Sequence, residues 1–509
     1  MMIKRIIVPV IGTFLLVGCG GDGSIATGAY NPDEKDSINI TISQDKNIES
    51  FSIKSGEKYS VDMLNSNKEL LLVLSNTDHE VISKELINNK SNNNLKLTLA
   101  EAKKLMKVKS NNDFKPLYKT TNSILPIDTE KEFVMTMDNN YQPIDKLNAK
   151  VKLVTEIDTN YGKKVLYLWV ENGYYNCEGK ACVNDTDLEY IKNNFLKDEL
   201  NNDIYDYETN LFGEEYNNGD YTELINKTNE INLLFYPATN DNLYGYVNYK
   251  DFFNKTEINA SNEMVLININ STLVNETYKL DVISTIAHEF QHIISFTKRA
   301  VEKNIVEYTW INEMRSEMIE DLLSKNLNTE GIRGISYEDG SSGEPGNLKS
   351  ILNYNDNSKS LVNWRSDIVN YANVASFGGY LLRKYNGGEI LSKLMFSTEN
   401  GITSVEKETG KTFSELQEDW IFEQFSSNIE GNIYNTGTWK TTTYENNIYD
   451  LGSINLFNLT SQIKLSENIP EEIENSATNI FSYGKNLTGK QQILVPEYEE
   501  NINVSLIIK

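Results

Sequence analysis

His288-Glu289-Phe290-Gln291-His292 sits within an apolar stretch, Leu280 to Phe296, of a 509-residue chain that contains three histidines. Val282, Ile283, Ile286, Ala287, Phe290, Ile293 and Ile294 fit a helix that is apolar around most of its circumference. Such a helix must be enclosed by other elements. Residues i and i+4 share a helix face, so both imidazoles can offer a nitrogen to one ion, with the Glu289 carboxylate one residue along beside the position they leave open. With histidine so scarce, the pattern carries information that it would lack in a His-rich chain. A dry setting also strengthens the field of an ion held there. The fold therefore has to bury this helix and still leave one side of it open to a reactant.

Two imidazoles and an open coordination position suit a catalytic zinc, which takes three protein ligands. The extended motif that continues with Gly and His is excluded, because Ser295 and Lys298 stand in those places. His79 lies far upstream in a different stretch, so the third ligand is expected to be a carboxylate. Trp310-Ile-Asn-Glu-Met-Arg-Ser-Glu-Met-Ile-Glu-Asp321 supplies Glu313, Glu317 and Asp321 at i, i+4 and i+8 of a further helix, bordering an apolar stripe of Trp310, Met314, Met318 and Leu322. Like charges in such a row repel by about 0.2–0.5 kcal/mol per pair. That is small enough for a solvated acidic face, and a divalent ion would remove it.

His-Glu-x-x-His followed by Asn312-Glu313-x-x-Ser316-Glu317 resembles the gluzincin arrangement of the thermolysin type. The region from Ala149 to Phe425 is similar to the hyicolysin family of bacterial metallopeptidases, in Leu211-Phe212-Gly213 ahead of Leu233-Leu234, in Ala287-His-Glu-Phe-Gln-His-Ile-Ile and in Trp310-Ile-Asn-Glu. The resemblance implies a zincin-like α+β peptidase domain, Zn2+ as cofactor, and His288, His292 and Glu313 as its ligands. It implies Glu289 as general base, and Glu317 as the acceptor for the His288 ring where thermolysin-like enzymes carry Asp. Thermolysin-like enzymes also use a downstream His to stabilise the oxyanion. No His follows His292, so Tyr371 and Tyr380 are the expected substitutes, ahead of Tyr308. The strand Met264 to Ile269 is the expected edge for an extended peptide substrate. An inactive, lipid-anchored binding or adhesion protein that retains the fold is the alternative. An aminopeptidase would need further acids to hold the substrate amine.

The start of the chain reads as an address. Lys4 and Arg5 precede an apolar run, Ile6 to Val17, which is too short to span a bilayer and fits a secretory signal over 1–18. Leu16-Val17-Gly18-Cys19 resembles a bacterial lipobox, which implies lipidation at Cys19, a tether over 19–37 and a cell-envelope location, periplasmic or surface-exposed. Cys177 and Cys182 are then an even pair in an exported protein and are expected to form a disulfide. With 73 acidic against 48 basic residues and a formal charge of -25, the chain repels polyphosphate. A nucleic-acid partner is not expected.

Short β-type runs from Ile38 to Leu74, with a helix at Thr98 to Val108, read as a β-rich N-terminal module over 38–147. The peptidase domain is expected over 148–426. It opens with a hairpin around Asn160-Tyr-Gly162, and its helices are placed near Thr186, Leu280, Trp310, Val374, Ile390 and Ser414. A second β-rich module is expected over 427–509.

Overall fold

The computed structural model describes residues 37–509 except 44, 64–67, 80–95, 107–123, 180, 198–202, 241–242, 330, 335–350, 427–431, 435–438, 455–462, 466–468, 471 and 499–500. The signal segment, most of the tether and Cys19 lie outside the described residues. Within them the protein is a mixture of helix and sheet, and no helix is long and apolar enough to cross a membrane.

The central sheet has the order β5 (Glu130–Val134), β6 (Lys146–Thr159), β7 (Gly162–Glu171), β8 (Glu230–Tyr236), β10 (Leu266–Asn270), β9 (Gly245–Val247). β6 and β7 form the expected hairpin, with Thr159 opposite Gly162 across the two-residue turn. β7 pairs parallel with β8, and the connection carries α2 (Asp185–Phe195) and α3 (Ile204–Phe212). Asn184 and Asp187 close a capping box at the start of α2, satisfying two of its free N–H groups. Cys177 and Cys182 form a disulfide in the loop after β7, with Cα atoms 5.4 Å apart.

The expected substrate edge, Met264 to Ile269, is not an edge: β10 lies between β8 and β9. The edge is β9, a three-residue strand antiparallel to β10, too short to show a periodicity. Gly245 lets it fit, because a Cβ there would stand 2.9 Å from both the Asn268 carbonyl oxygen and the Thr285 Cγ2. β9 is thus clasped between its neighbouring strand and the next helix.

That helix is α4 (Lys279–Ser295), which runs on into a π-helical stretch, Phe296–Glu302. Ile283, Ile286, Ala287, Phe290, Ile293 and Ile294 are fully buried, each large side chain contributing about 1.5–3 kcal/mol. α5 (Thr309–Leu323) packs on α4, and α6 (Ile368–Lys384) on α5. Gly378 permits that last approach, since a Cβ there would lie 2.6 Å from Met318 Cγ. α7 (Gly388–Phe396), α8 (Gly401–Thr409) and α9 (Phe413–Phe425) complete the helical layer.

The flanking β segments are not two separate modules. β4 (Lys68–Asn76) lies between the C-terminal strands β14 (Thr478–Leu487) and β16 (Ile502–Ile508), in a sheet of order β13 (Ile463–Leu465), β14, β4, β16, β2 (Glu49–Ile53). β15 (Lys490–Leu494) likewise joins β1 (Ile38–Thr41) and β3 (Lys58–Asp62) in a second sheet. The cause is visible in the Leu70-Leu-Leu-Val-Leu run, which is buried on both faces. Leu70, Leu72 and Leu74 enter the core between the two sheets, whereas Leu71 and Val73 enter the core of the helical domain. A small hairpin, β11 (Trp439–Tyr444) with β12 (Asn447–Gly452), packs beside α5 and α7. The N-terminal boundary also shifts: β5 belongs to the central sheet, and α1 (Leu99–Leu105), described over less than the expected Thr98 to Val108, buries Leu99 and Ala102 in the same core.

Candidate metal centre

α4 and α5 run antiparallel, so successive turns of one meet successive turns of the other in reverse order. His288 and His292 project from α4 towards Glu313 of α5. The Glu313 Oε2 lies 3.1 Å from His288 Nε2 and 3.4 Å from His292 Nε2. The two rings are 4.9 Å apart at their centroids and inclined at 78°. One donor atom from each of the three residues falls within 4.8 Å of the others. Two imidazole nitrogens and a carboxylate oxygen, converging in a largely buried setting, are a donor set that suits a divalent zinc-like ion. His79, the remaining histidine, lies elsewhere with its ring edge-on to Phe413.

The helix pair is held in register by buried charge. Arg299, on the π-helical extension of α4, and Arg315, on α5, both bind the Glu307 carboxylate, Arg315 at 2.9 Å, and all three side chains are fully buried. Removing one member of such a cluster costs roughly 3–5 kcal/mol, so the spacing of the histidines from Glu313 is firmly set.

Around the three donors the structure corrects two expectations. The Nδ1 of His288 meets Glu320 Oε1 at 2.7 Å, whereas Glu317 Oε1 is 3.7 Å away. Glu320, not Glu317, is the direct partner, and it also accepts a hydrogen bond of 2.6 Å from Ser284, one turn before His288. Asp321 turns away altogether and pairs with Arg383 in the core. An eight-residue step overshoots two turns by about 80°, whereas a seven-residue step falls short by only about 20°. Glu320 therefore stays on the face of Glu313 and Asp321 leaves it. The Nδ1 of His292 is held by the Asn312 side-chain amide at 3.0 Å, with Ser316 Oγ at 3.4 Å.

The electrostatics follow from this packing. Burial alone would raise the Glu313 carboxyl, but the charges and hydrogen bonds of His292 and His288 hold it well below the carboxylate range. Burial likewise opposes charge on His288, and hydrogen bonds to Glu313 and Glu320 overcome it, so its pKa is raised. Glu317 is pushed up, first by burial and then by the charge of Glu320. Glu208 of α3, fully buried, has neither oxygen hydrogen-bonded among the described residues; burial pushes its carboxyl far up, and the charge of His288 opposes this. So many acids around two rings favour the entry of a cation.

Glu289, one residue along α4 from His288, accepts at its Oε2 a hydrogen bond of 2.8 Å from the Val247 N–H on edge strand β9. The carboxylate next to the metal donors is thereby tied to the open edge of the sheet. Tyr371 and Tyr380 prove to be differently placed. Nine residues on a helix are about two and a half turns, so the two project from opposite faces of α6. Tyr371 stands edge-on to Trp364 with ring centroids 4.8 Å apart, and its hydroxyl is raised first by the charge of Glu313, then by burial, then by Glu289 and Glu317. Tyr380 is fully buried on the far side, where its hydroxyl donates to Asp419 at 3.0 Å. It cannot reach the cluster. Tyr308 lies exposed at the start of α5, against Gly401.

The model of one protein family, described as peptidase M30, matches residues 145–431, a span that contains α4, α5, α6 and the edge strand. Whole-chain comparison with curated proteins gives no match. His288, His292, Glu289 and Glu313 all fall within the matched span, which exceeds half of the chain, and the chain belongs to the peptidase M30 family, the hyicolysin family of metallopeptidases.

Proposed function

We propose that the protein is a zinc-dependent endopeptidase of gluzincin type, lipid-anchored in a bacterial cell envelope. The observation that carries the catalytic reading is the convergence of His288, His292 and Glu313 on one point, beside a carboxylate tied to an open strand edge. His288, His292 and Glu313 would hold Zn2+, which would supply a Lewis acid and lower the pKa of water towards 7. An extended peptide adds alongside Gly245–Val247, whose outer edge is unpaired among the described strands. Glu289 takes a proton from the attacking water at its carboxylate and delivers it to the leaving amine. Tyr371 donates its O–H to the carbonyl oxygen as negative charge develops there.

Full-length protein loaded with zinc is expected to cleave an unstructured protein substrate internally, to stop on chelation and to recover on zinc addition. Bound zinc with no cleavage of any peptide would instead support the inactive, lipid-anchored binding protein. Release of single residues from the amino end would point to an aminopeptidase.

Two residue roles have their own outcomes. Tyr371→Phe is expected to lower kcat by about 10²–10³-fold, the size typical of a lost oxyanion donor, with little change in KM. A matching fall in Tyr380→Phe and none in Tyr371→Phe would reverse the assignment. Glu320→Ala removes the acceptor that orients the His288 ring and is expected to weaken zinc affinity by about 10–100-fold, measured by chelator competition. An equal or larger loss in Glu317→Ala would show that the nearer carboxylate is not the effective one.

The anchor rests on the Leu-Val-Gly-Cys19 sequence. Cells fed a clickable palmitate analogue are expected to label the protein, and Cys19→Ala to abolish the label; label that persists in the variant would exclude lipidation at this cysteine.

A further inference from the structure

The family match begins at residue 145, yet residues well upstream of it pack into the same core and reach the edge strand. Leu97, Leu99, Ala102 and Met106 are buried in the same core as α4 and α5. Thr98 and Glu101 close a capping box at the start of α1. Lys103 Nζ donates to the Ala300 carbonyl at 3.0 Å and to the Tyr221 hydroxyl at 2.7 Å. α1 is therefore a fixed part of the domain. Just before it, the Leu97 N–H donates to Asn248 Oδ1 at 3.1 Å, and Asn248 is the residue that follows edge strand β9.

This anchoring brings Lys96 to the edge. Its ammonium lies 4.1 Å from the centroid of the Tyr246 ring, and Tyr246 is the neighbour of Val247, whose N–H holds Glu289. The residue as a whole remains open to solvent beside the edge strand. Its ammonium is crowded by protein, which lowers its pKa, and the charges of Glu289 and then Glu313 pull it back up. Lys96 has no ion pair with a described residue. A cation is thus supported by an aromatic face, beside the strand on which a peptide would lie. The molecule around it carries a net charge of -25, which would otherwise repel an acidic peptide.

We propose that Lys96 is a specificity-determining residue that binds a carboxylate of the substrate next to the scissile bond. The inference rests on reading the site as a peptidase. The carboxylate is either an Asp or Glu side chain or the free end of the peptide chain; the amine would serve both in the same way, through a charge-assisted hydrogen bond.

The test uses the full chain, zinc-loaded, and blocked fluorogenic peptides that differ only in Glu or Gln on either side of the scissile bond. The wild type is expected to favour the Glu peptide by about tenfold in kcat/KM, the size of one modest polar contact. That ratio is expected to fall to about one in Lys96→Met, to invert in Lys96→Glu and to be retained in Lys96→Arg. A parallel pair with a free or an amidated C-terminus tells the two sources apart: a preference for the free end that Lys96→Met abolishes assigns the amine to the chain terminus. Anisotropy of the same labelled peptides bound to Glu289→Gln, which holds peptide without turning it over, reads the preference as an affinity. A wild type that cleaves nothing would remove the peptidase reading, while the anisotropy ratio still decides the role of Lys96. Ratios that are the same in wild type and Lys96→Met, whether activity on both peptides falls or rises, would overturn the proposal.

Discussion

Glu289→Gln is expected to lower kcat by about 10²–10⁴-fold, the usual contribution of a positioned general base, while the protein keeps one zinc per chain and its melting temperature. Gln has nearly the same shape and retains an oxygen that can accept the Val247 N–H, now 2.8 Å from Glu289 Oε2, so edge strand β9 stays in place. What it loses is the ability to take a proton. Glu289 is not one of the three converging donors, which is why metal content should not follow activity in this variant. Steady-state kinetics combined with elemental analysis checks the split. Activity within tenfold of wild type would remove Glu289 from the proton-transfer role, and loss of zinc would mean that it is a ligand.

Glu313→Ala should behave in the opposite way, losing activity because it loses the ion. Zinc binding in small protein sites amounts to about 10–16 kcal/mol. Removing one of three protein ligands forfeits roughly a third of that, or at least about two orders of magnitude in affinity. The two rings also lose the acid that lies 3.1 and 3.4 Å from their Nε2 atoms. Isothermal titration with zinc measures the effect. Affinity within threefold of wild type would show that another carboxylate, Glu317 or Glu320, completes the site. A ligand that binds only the folded state stabilises it, by about 2.7 kcal/mol at one hundred times its Kd. Zinc should therefore raise the melting temperature of the wild type and much less that of Glu313→Ala.

The parts of this site that were legible in sequence are those fixed by one helix alone. His288 and His292 share a face because a helical turn is 3.6 residues, whatever surrounds it. The apolar residues around them announced a buried helix, and α4 is enclosed as expected. Glu313 was singled out by the resemblance of Asn312-Glu313-x-x-Ser316-Glu317 to the gluzincin pattern. Features decided by packing between elements could not be read in the same way. Glu317 and Glu320 differ by three residues, and only the register of α5 against α4, with Ser284 fixing the Glu320 carboxylate, determines which of them meets His288. A stricter use of helical phase would have favoured position 320 over 321 on the face of Glu313. The same phase argument separates Tyr371 from Tyr380, nine residues apart.

The sheets show the same limit. The β6–β7 hairpin is local and was visible, whereas β9 is three residues long and takes its place at the edge through Gly245 and its fit against Thr285. The Leu70-Leu-Leu-Val-Leu run was legible as a β-type run, but not its burial on both faces. Its partners, β14 and β16, lie more than 400 residues further along the chain, and no local pattern names them. Lys96 was equally hidden, because its position beside Tyr246 depends on α1 packing onto the helical core.

X-ray absorption at the zinc edge, on zinc-loaded full-length protein and on Glu313→Ala, reads the coordination directly. One zinc per chain with two imidazoles at about 2.0–2.1 Å and oxygen ligands at about 2.0–2.2 Å, and a spectrum that loses this signature in the variant, is the expected result. Zinc bound through sulfur, or a spectrum and stoichiometry unchanged when Glu313 is removed, would contradict the placement of the ion between His288, His292 and Glu313.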